Sequence, residues 1–152
     1  MIRVQENDFD VGAEIAKITD GNTSIGGVCS FVGLVRDFAG DDTVAAMTLE
    51  HYPGMTEKQL AAIEQQAHER WPLDATLIIH RVGRLEPGDR IVFVAAASAH
   101  REAAFEACHF LIDWLKTQAP FWKKETGAGF DTWVDAKDSD ELAAKRWHDD
   151  KT

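Results

Sequence analysis

The sequence predicts a single-domain α+β fold in which most strands pair in an antiparallel arrangement. Its 152 residues are about the length of one domain. Short apolar runs rich in β-branched residues alternate with turn residues, which is typical of strands and hairpins. Two longer segments instead repeat apolar residues every three or four positions, which is the spacing of amphipathic helices.

The first half of the chain predicts strands and helices that alternate. Its first four elements are a short strand, a short helix and two longer strands: IRV near the start, Val11–Ile18, Ile25–Val35 and Thr43–His51. Pro53-Gly54 then ends the last of these strands. The spacing of Thr56–Trp71 predicts an amphipathic helix, with Thr56 as its N-cap and Pro72 as its stop.

The second half predicts a hairpin, the longest helix and a second hairpin. The turn EPGD joins two strand-like runs, Ala75–Leu85 and Arg90–Ser98. Arg101–Ala119 is predicted to be a helix that Pro120 ends. Its apolar stripe comprises Ala104, Phe105, Cys108, Leu111, Ile112 and Leu115. The last predicted elements are a hairpin around GAG and a short amphipathic helix: Phe121–Glu125, Phe130–Val134 and Asp140–Trp147.

The charge of the chain narrows the class of ligand. A formal net charge of -10 disfavours nucleic acids and anionic membrane surfaces, which need a net basic face on the protein. Any anionic ligand must therefore meet a local cluster of cations. The stretch MIRVQENDFD lacks the pattern of a signal peptide, and no apolar run approaches the length of a membrane span. We expect a cytoplasmic enzyme or binding protein.

The cysteines and histidines indicate neither disulfide nor metal chemistry. Cys29 lies in an apolar predicted strand and Cys108 on the apolar stripe of the long helix, so both are interpreted as buried structural thiols. Five of the histidines show neither HxH nor HExxH spacing: His51, His68, His80, His109 and His148. We therefore expect no metal site and no cofactor.

His100-Arg101 stands where a predicted strand gives way to the long helix. The start of a helix offers unpaired backbone N–H groups and a positive dipole end, and the planar fork of arginine matches phosphate or carboxylate oxygens. An ion pair of Arg101 with Glu102 or Glu106 explains its presence equally well. The residues alone leave these two interpretations open.

The segment KTQAPFWKKE places three lysines around a proline and two large aromatic residues. Lys116 lies in the last helical turn, where the dipole favours a lysine in any protein. The dipole does not account for Lys123 and Lys124 beyond the proline. Because alternate residues of a strand face opposite sides, one of these two can share a space with Lys116. This pattern predicts one wall of an anion site.

Several long stretches together resemble one family. TLEHYPGMTEK, RWPL, HRVGRLEPGD, VFVAAASAHREAAFEAC and LKTQAPFWKKE, in this order, are similar to segments of MoaE, the catalytic large subunits of molybdopterin synthase. The resemblance extends from about Ile25 to Trp147. It implies an α/β hammerhead fold with additional, mostly antiparallel strands. It also implies one domain over residues 1–152, with a short helical tail at about 138–152.

The resemblance further implies an activity and partners. The family converts cyclic pyranopterin monophosphate (precursor Z) into molybdopterin by adding two sulfurs as a dithiolene. The sulfur arrives as a thiocarboxylate on the C-terminal Gly-Gly tail of MoaD, a small ubiquitin-like subunit. Two large and two small subunits usually form a heterotetramer around a homodimer of the large subunit.

Site residues follow by resemblance at the matching positions. Lys116 and Lys123 would be the two central active-site lysines. The pterin phosphate and its adjacent oxygens would be bound by Arg36, His100 and Arg101. Lys124 and Glu125 would adjoin the substrate contacts.

Some positions depart from the family pattern. Leu34 stands where a lysine is frequent, and Asp37-Phe38 replaces a more polar pair, so a contact between Leu34 and substrate is left open. Lys137 stands where an arginine can reach the site of the neighbouring subunit; it keeps the charge but lacks the bidentate fork. The loop TGAGF is variable, so its path is open.

Two other functional classes are compatible with the same cluster of basic residues. A different enzyme acting on a phosphorylated metabolite would turn over without a thiocarboxylated partner. A non-catalytic module that docks a peptide tail would tolerate the loss of Lys116.

Overall fold

The computed structural model describes residues 1–36, 44–118, 121–127, 130–134, 145 and 147, with the backbone alone for 44, 45, 122–127 and 130–134. In chain order the elements are β1 Ile2–Gln5, α1 Val11–Thr19, β2 Gly27–Leu34, β3 Val44–His51, α2 Met55–Arg70, β4 Ala75–Arg81, β5 Gly83–Leu85, β6 Arg90–Ser98, α3 Arg101–Gln118, β7 Phe121–Gly127 and β8 Phe130–Val134. These elements confirm the predicted α+β class. The predicted helix over Asp140–Trp147 falls mostly outside the described residues.

The first sheet has the strand order β1-β4-β6-β2, with β1 parallel to β4 and the other pairs antiparallel. Its central strands, β4 and β6, are apolar runs without alternation because both of their faces are buried. α1 packs on one face through Ile15 and Ile18, next to Phe93 of β6. α2 and α3 pack on the other face and form the larger core cluster.

The second sheet has the order β5-β3-β7-β8 and is entirely antiparallel. It corrects the prediction of one continuous strand over Ala75–Leu85. Gly83 has a φ of 85°, which breaks the strand at that point and sends β5 to pair with β3. The predicted hairpin between β4 and β6 is confirmed, and the bend after β5 is closed by a hydrogen bond from Asp89 N to Glu86 O of 2.9 Å.

Two predictions about the helices need correction. α2 is capped at Gly54, whose N–H donates to the Glu57 carboxylate at 2.7 Å. Thr56 instead lies inside the helix, where its Oγ1 accepts from Tyr52 N at 3.1 Å. On α3 the apolar stripe is buried except for Ile112, which is half-buried, and Phe105, which is 61% exposed.

The direction of α3 positions three of the candidate site residues, His100, Arg101 and Lys116. The helix begins three residues after β6 ends and runs back across the sheet, so that Cys108 Sγ lies 3.9 Å from Val94 O of β6. Its last turn therefore reaches the end of the sheet where β6 begins and β2 finishes. In the described part of the chain, none of the helices has the length and apolar character needed to cross a membrane.

Candidate active site

His100 and Arg101 lie exposed at the start of α3, in a turn that the neighbouring backbone holds in place. Ser98 Oγ donates to Pro72 O at 2.8 Å and accepts from His100 N at 3.5 Å. Gly26 N donates to Ser98 O at 2.9 Å on the other side. A side chain at Gly26 would place its Cβ 2.0 Å from Ala99 O, so only glycine allows this close approach. The turn thus presents two basic side chains on a fixed backbone.

Arg36 and Lys116 lie at the opposite end of the same layer. Arg36 is exposed, and it follows Val35, whose backbone bonds to the turn after β5: Val35 N to Asp89 O at 2.9 Å and Gly88 N to Val35 O at 2.8 Å. Lys116 is half-buried in the last turn of α3. Leu34 of β2 pairs with Arg90 at the start of β6, and α3 runs back along β6, so both cations lie at the end of the first sheet where β6 begins.

Lys123, Lys124 and Glu125 occupy β7 positions opposite Leu49, Thr48 and Met47 of β3. The side chains of these three β7 residues lie outside the described part of the structure. The start of β7 is fixed by Phe121, whose ring stacks on that of His80 at 3.8 Å between centroids and 16° between planes. This contact anchors the start of β7 to the core.

His80 is a structural residue that the sequence analysis did not single out. Its ring is buried between β4 and Phe121, and its Nδ1–H donates to Arg81 O at 2.8 Å. A histidine in an apolar strand carries no sequence signal for stacking on a phenylalanine 41 positions later. The pairing of β3 with β7 sets His51 opposite Phe121. The ring of Phe121 thereby lies near those of both His51 and His80.

Trp147 is a second anchor that no sequence pattern indicated. Its indole is buried, and its Nε1–H donates to Asp113 Oδ2 at 2.7 Å. Its carbonyl oxygen accepts from Arg70 at 2.9 Å. The indole packs edge-on against Trp71 and Phe110. Trp147 is thereby fixed between α2 and α3, whereas Lys137 lies outside the described residues.

Of the two thiols, Cys108 is placed as an inert group. Cys108 is buried, and this burial, together with the neighbouring Cys29 thiol, raises its pKa far above the ordinary range. A thiol held in its protonated form is a poor nucleophile. Cys29 is half-buried rather than fully buried, because it lies on β2, an outer strand of the first sheet.

The candidate cations form two groups, and one chain does not bring them together. Fifteen residues of continuous helix separate Arg101 from Lys116, so at 1.5 Å per residue their Cα atoms are about 22 Å apart. One group is the helix-start pair His100 and Arg101. The other is Arg36 and Lys116, while Lys123 and Lys124 lie on β7, which begins three residues after α3 ends. Within the described ranges, no group of three or more His, Cys, Asp or Glu residues is arranged to hold a metal ion.

Comparisons with known proteins agree on one family. The family model described as "MoaE protein" matches residues 4–118. The molybdopterin synthase catalytic subunit of Pseudomonas aeruginosa is 55% identical over 148 residues, which cover 97% of this chain and 99% of that protein. The solved molybdopterin biosynthesis MoaE protein of Burkholderia ambifaria is 52% identical, with a TM-score of 0.84 and 97% of each chain covered. A solved molybdopterin synthase from Staphylococcus aureus is 30% identical, with a TM-score of 0.81, covering 88% of this chain and 96% of that one.

Proposed function

The chain belongs to the MoaE family of molybdopterin synthase catalytic subunits, and we propose that it transfers sulfur at a site that uses both ends of α3. As a member of this family it is a sulfurtransferase of molybdenum cofactor biosynthesis. The substrate we propose is cyclic pyranopterin monophosphate, and the product is the molybdopterin dithiolene. The donor is the thiocarboxylate at the Gly-Gly tail of a MoaD-like small subunit.

The observation that carries this proposal is the placement of the cations against rigid backbone. The substrate carries a phosphate, and in a chain of net charge -10 a phosphate needs a local cluster of positive charge. His100 and Arg101 supply one cluster on a turn that Gly26 and Ser98 hold in place. We assign the phosphate grip to this pair together with Arg36.

We assign the chemical step to Lys116 and Lys123. Lys116 is half-buried at a helix end, so its amine has a restricted direction. Lys123 follows Phe121, which is stacked on buried His80, so the backbone at its position is equally constrained. Ammonium groups here can orient the thiocarboxylate carbonyl, stabilise charge as sulfur leaves, or move a proton. Lys124 and Glu125 adjoin this site in the proposal.

Because the two groups of cations lie far apart on one chain, we propose that each active site takes one group from each of two chains. With Cα atoms about 22 Å apart on one helix, Arg101 and Lys116 could contact one pterin monophosphate only if both side chains extended fully toward each other along the helix. A homodimer solves this problem if the helix-start pair of one subunit lies beside the Lys116 end of the other. The positive charge of Lys137 is proposed to reach across the same boundary.

Three further assignments complete the proposal. Residues 1–152 act as one domain with a short helical tail at about 138–152. The small subunit docks its tail at the Lys116 end of α3. We place the protein in the cytoplasm.

The direct test is sulfur transfer with purified components. The chain, the thiocarboxylated small subunit and cyclic pyranopterin monophosphate are expected to give the dithiolene, with two thiocarboxylates consumed per product. Turnover of a phosphorylated metabolite without the small subunit would instead support the different enzyme. Tail binding with no conversion of substrate would support the non-catalytic module.

A further inference from the structure

A cavity of about 630 Å³ lies at the β1 edge of the first sheet, between α1, the last turns of α2 and the first residues of β1 and β4. Its volume is in the range of pockets that hold small molecules, about 300–1,000 Å³. We call it the α1 cavity; its lining includes Arg3, Glu14, Ile18, Thr76 and Leu77. None of the described residues of β6, α3 or β7 lines it, so it is separate from the candidate active site.

The charged side chains of the α1 cavity leave one positive charge unbalanced. The Glu14 carboxylate accepts a hydrogen bond from Arg3, and its other oxygen lies 3.7 Å from Lys17 Nζ. The bond from Arg3, opposed by burial, lowers the pKa of Glu14, so this carboxyl is ionised at neutral pH. The amino group of Met1, which also lines the cavity, is paired with Glu64. Two cations therefore share one carboxylate, in a chain whose net charge is -10.

Arg3 also carries an N–H group for which the described part of the chain offers no acceptor. Its Nε atom is shielded from water and donates to none of the described residues. Buried donors in proteins are nearly always hydrogen-bonded, because an unpaired one keeps the full cost of losing its water. A ligand oxygen beside Arg3 would supply the missing acceptor.

The rest of the lining combines an apolar surface with one neutral polar pair. Ile18, Ala75 and Leu77 supply the carbon surface, and Leu77 is almost fully buried. His68 Nε2 lies 3.0 Å from Thr76 Oγ1, which ties α2 to β4 at the cavity wall. Pockets that are mostly apolar with a few converging polar groups bury the body of a ligand and fix its orientation through the polar groups.

We propose that the α1 cavity binds a small carboxylate with an apolar body, whose carboxylate faces Arg3 and whose body packs on Ile18 and Leu77. The single unbalanced positive charge matches a monoanion, and a guanidinium matches the geometry of carboxylate oxygens. A phosphate ester presents similar oxygens but carries nearly two negative charges at neutral pH, which exceeds the unbalanced charge. The inference does not depend on the proposed function, because the cavity shares none of its lining with the candidate active site.

Amide NMR spectra of the full chain, titrated with naphthoate, test the proposal directly. This probe is expected to shift the amide signals of Ile18, Thr76 and Leu77 and to saturate. Naphthylmethanol has the same body without the charge, and acetate has the charge without the body. Each of these two is expected to bind at least about tenfold more weakly than naphthoate. Naphthyl phosphate distinguishes the two sources of anion and is also expected to bind more weakly.

Two variants test which side chains hold the probe. Arg3→Met made together with Glu14→Gln removes the ion pair as a unit, so the net charge is unchanged and neither charge is left buried alone. It is expected to weaken naphthoate binding at least about tenfold, which reports the guanidinium contact itself. Ala75→Phe fills the cavity and is expected to abolish binding. Arg84→Met is the matched control, because Arg84 is exposed on β5, outside the cavity.

Several results would overturn the proposal, and the same spectra show whether each variant is folded. These results are the absence of shifts with naphthoate, equal binding of naphthylmethanol, or tighter binding of naphthyl phosphate. An affinity for naphthoate that the Arg3→Met and Glu14→Gln double variant leaves unchanged would also overturn it, whether or not Ala75→Phe folds. Shifts confined to His100, Arg101 and their neighbours would assign the probe to the candidate active site, with the same consequence. Failure of sulfur transfer would leave the α1 cavity proposal in place.

Discussion

At the residue scale, the effect of removing the Lys116 amine distinguishes a catalytic lysine from one that only stabilises the end of a helix. A lysine in the last turn of a helix contributes well under about 1 kcal/mol to stability through the dipole. A lysine that moves a proton or stabilises developing charge contributes about 10²-fold or more to the rate. Lys116→Ala is therefore expected to lower single-turnover dithiolene formation by orders of magnitude while fold and partner binding persist.

A matched helix-end lysine controls for the charge alone. Lys17 occupies the last turn of α1 and is well exposed. Lys17→Ala is expected to leave the rate within a few-fold of wild type. A similar rate for Lys116→Ala would remove Lys116 from the mechanism.

Substitution of Arg101 tests whether this residue binds the phosphate of the substrate. Charge-assisted hydrogen bonds from a guanidinium contribute about 1.5–3 kcal/mol each, so Arg101→Ala is expected to weaken substrate binding by at least about tenfold. Binding of the small subunit should change little. Arg101→Lys retains the charge but not the fork, and we expect it to recover part of the affinity. Calorimetric titration gives both affinities, and unchanged substrate binding in Arg101→Ala would remove the residue from the phosphate grip.

The two cysteine thiols are predicted to take no part in sulfur transfer. Cys108 is buried with a raised pKa, and the donor sulfur resides on the partner chain in the proposed reaction. Replacing Cys29 and Cys108 together by serine or alanine is expected to leave the rate of sulfur transfer largely intact. Complete loss of turnover in a folded double variant that still binds the small subunit would indicate a persulfide relay on this chain.

At the scale of elements, β1 and α1 are joined by an ion pair whose contribution depends on pH. Arg3 donates a hydrogen bond to the buried carboxylate of Glu14, and this bond, opposed by burial, lowers the Glu14 pKa below its ordinary value. The pair therefore stabilises the folded chain above the ordinary carboxyl pKa, and this contribution is lost as the pH falls through the lowered value.

Glu14→Gln tests that linkage. The variant is expected to be less stable than wild type at neutral pH, with the difference shrinking progressively in acid. Urea unfolding at a series of pH values measures the difference in free energy of unfolding. A difference that stays constant with pH would show that the charge of Glu14 contributes nothing and that packing accounts for the loss.

The elements also show what local patterns predict and what they miss. α3 and β6 were predicted closely because their apolar spacing and flanking turns agree with each other. The split between β4 and β5 was missed because a glycine at positive φ can end a strand without any change in apolar pattern. The spacing predicts Phe105 on the apolar stripe, because helical spacing alone cannot show which positions of a helix the sheet covers.

At the scale of the whole molecule, the resemblance to the family identifies candidate residues that the patterns of this sequence alone do not bring into one site. The sequence places Arg101 and Lys116 on one helix, and the helix itself keeps them about 22 Å apart. No composition or spacing within one chain predicts that such residues serve one ligand. The missing information is the contact between two copies that the proposed function requires.

Complementation between two inactive variants tests the two-subunit site most directly. In a heterodimer of Lys116→Ala and Arg101→Ala, one of the two shared sites carries both defects and the other carries neither. Random mixing makes half of the dimers heterodimers, so about one quarter of all sites should be intact. We predict that dissociating and reassembling the two variants together restores about one quarter of the wild-type rate of dithiolene formation. A mixture as inactive as the separate variants, with subunit exchange verified, would contradict the account.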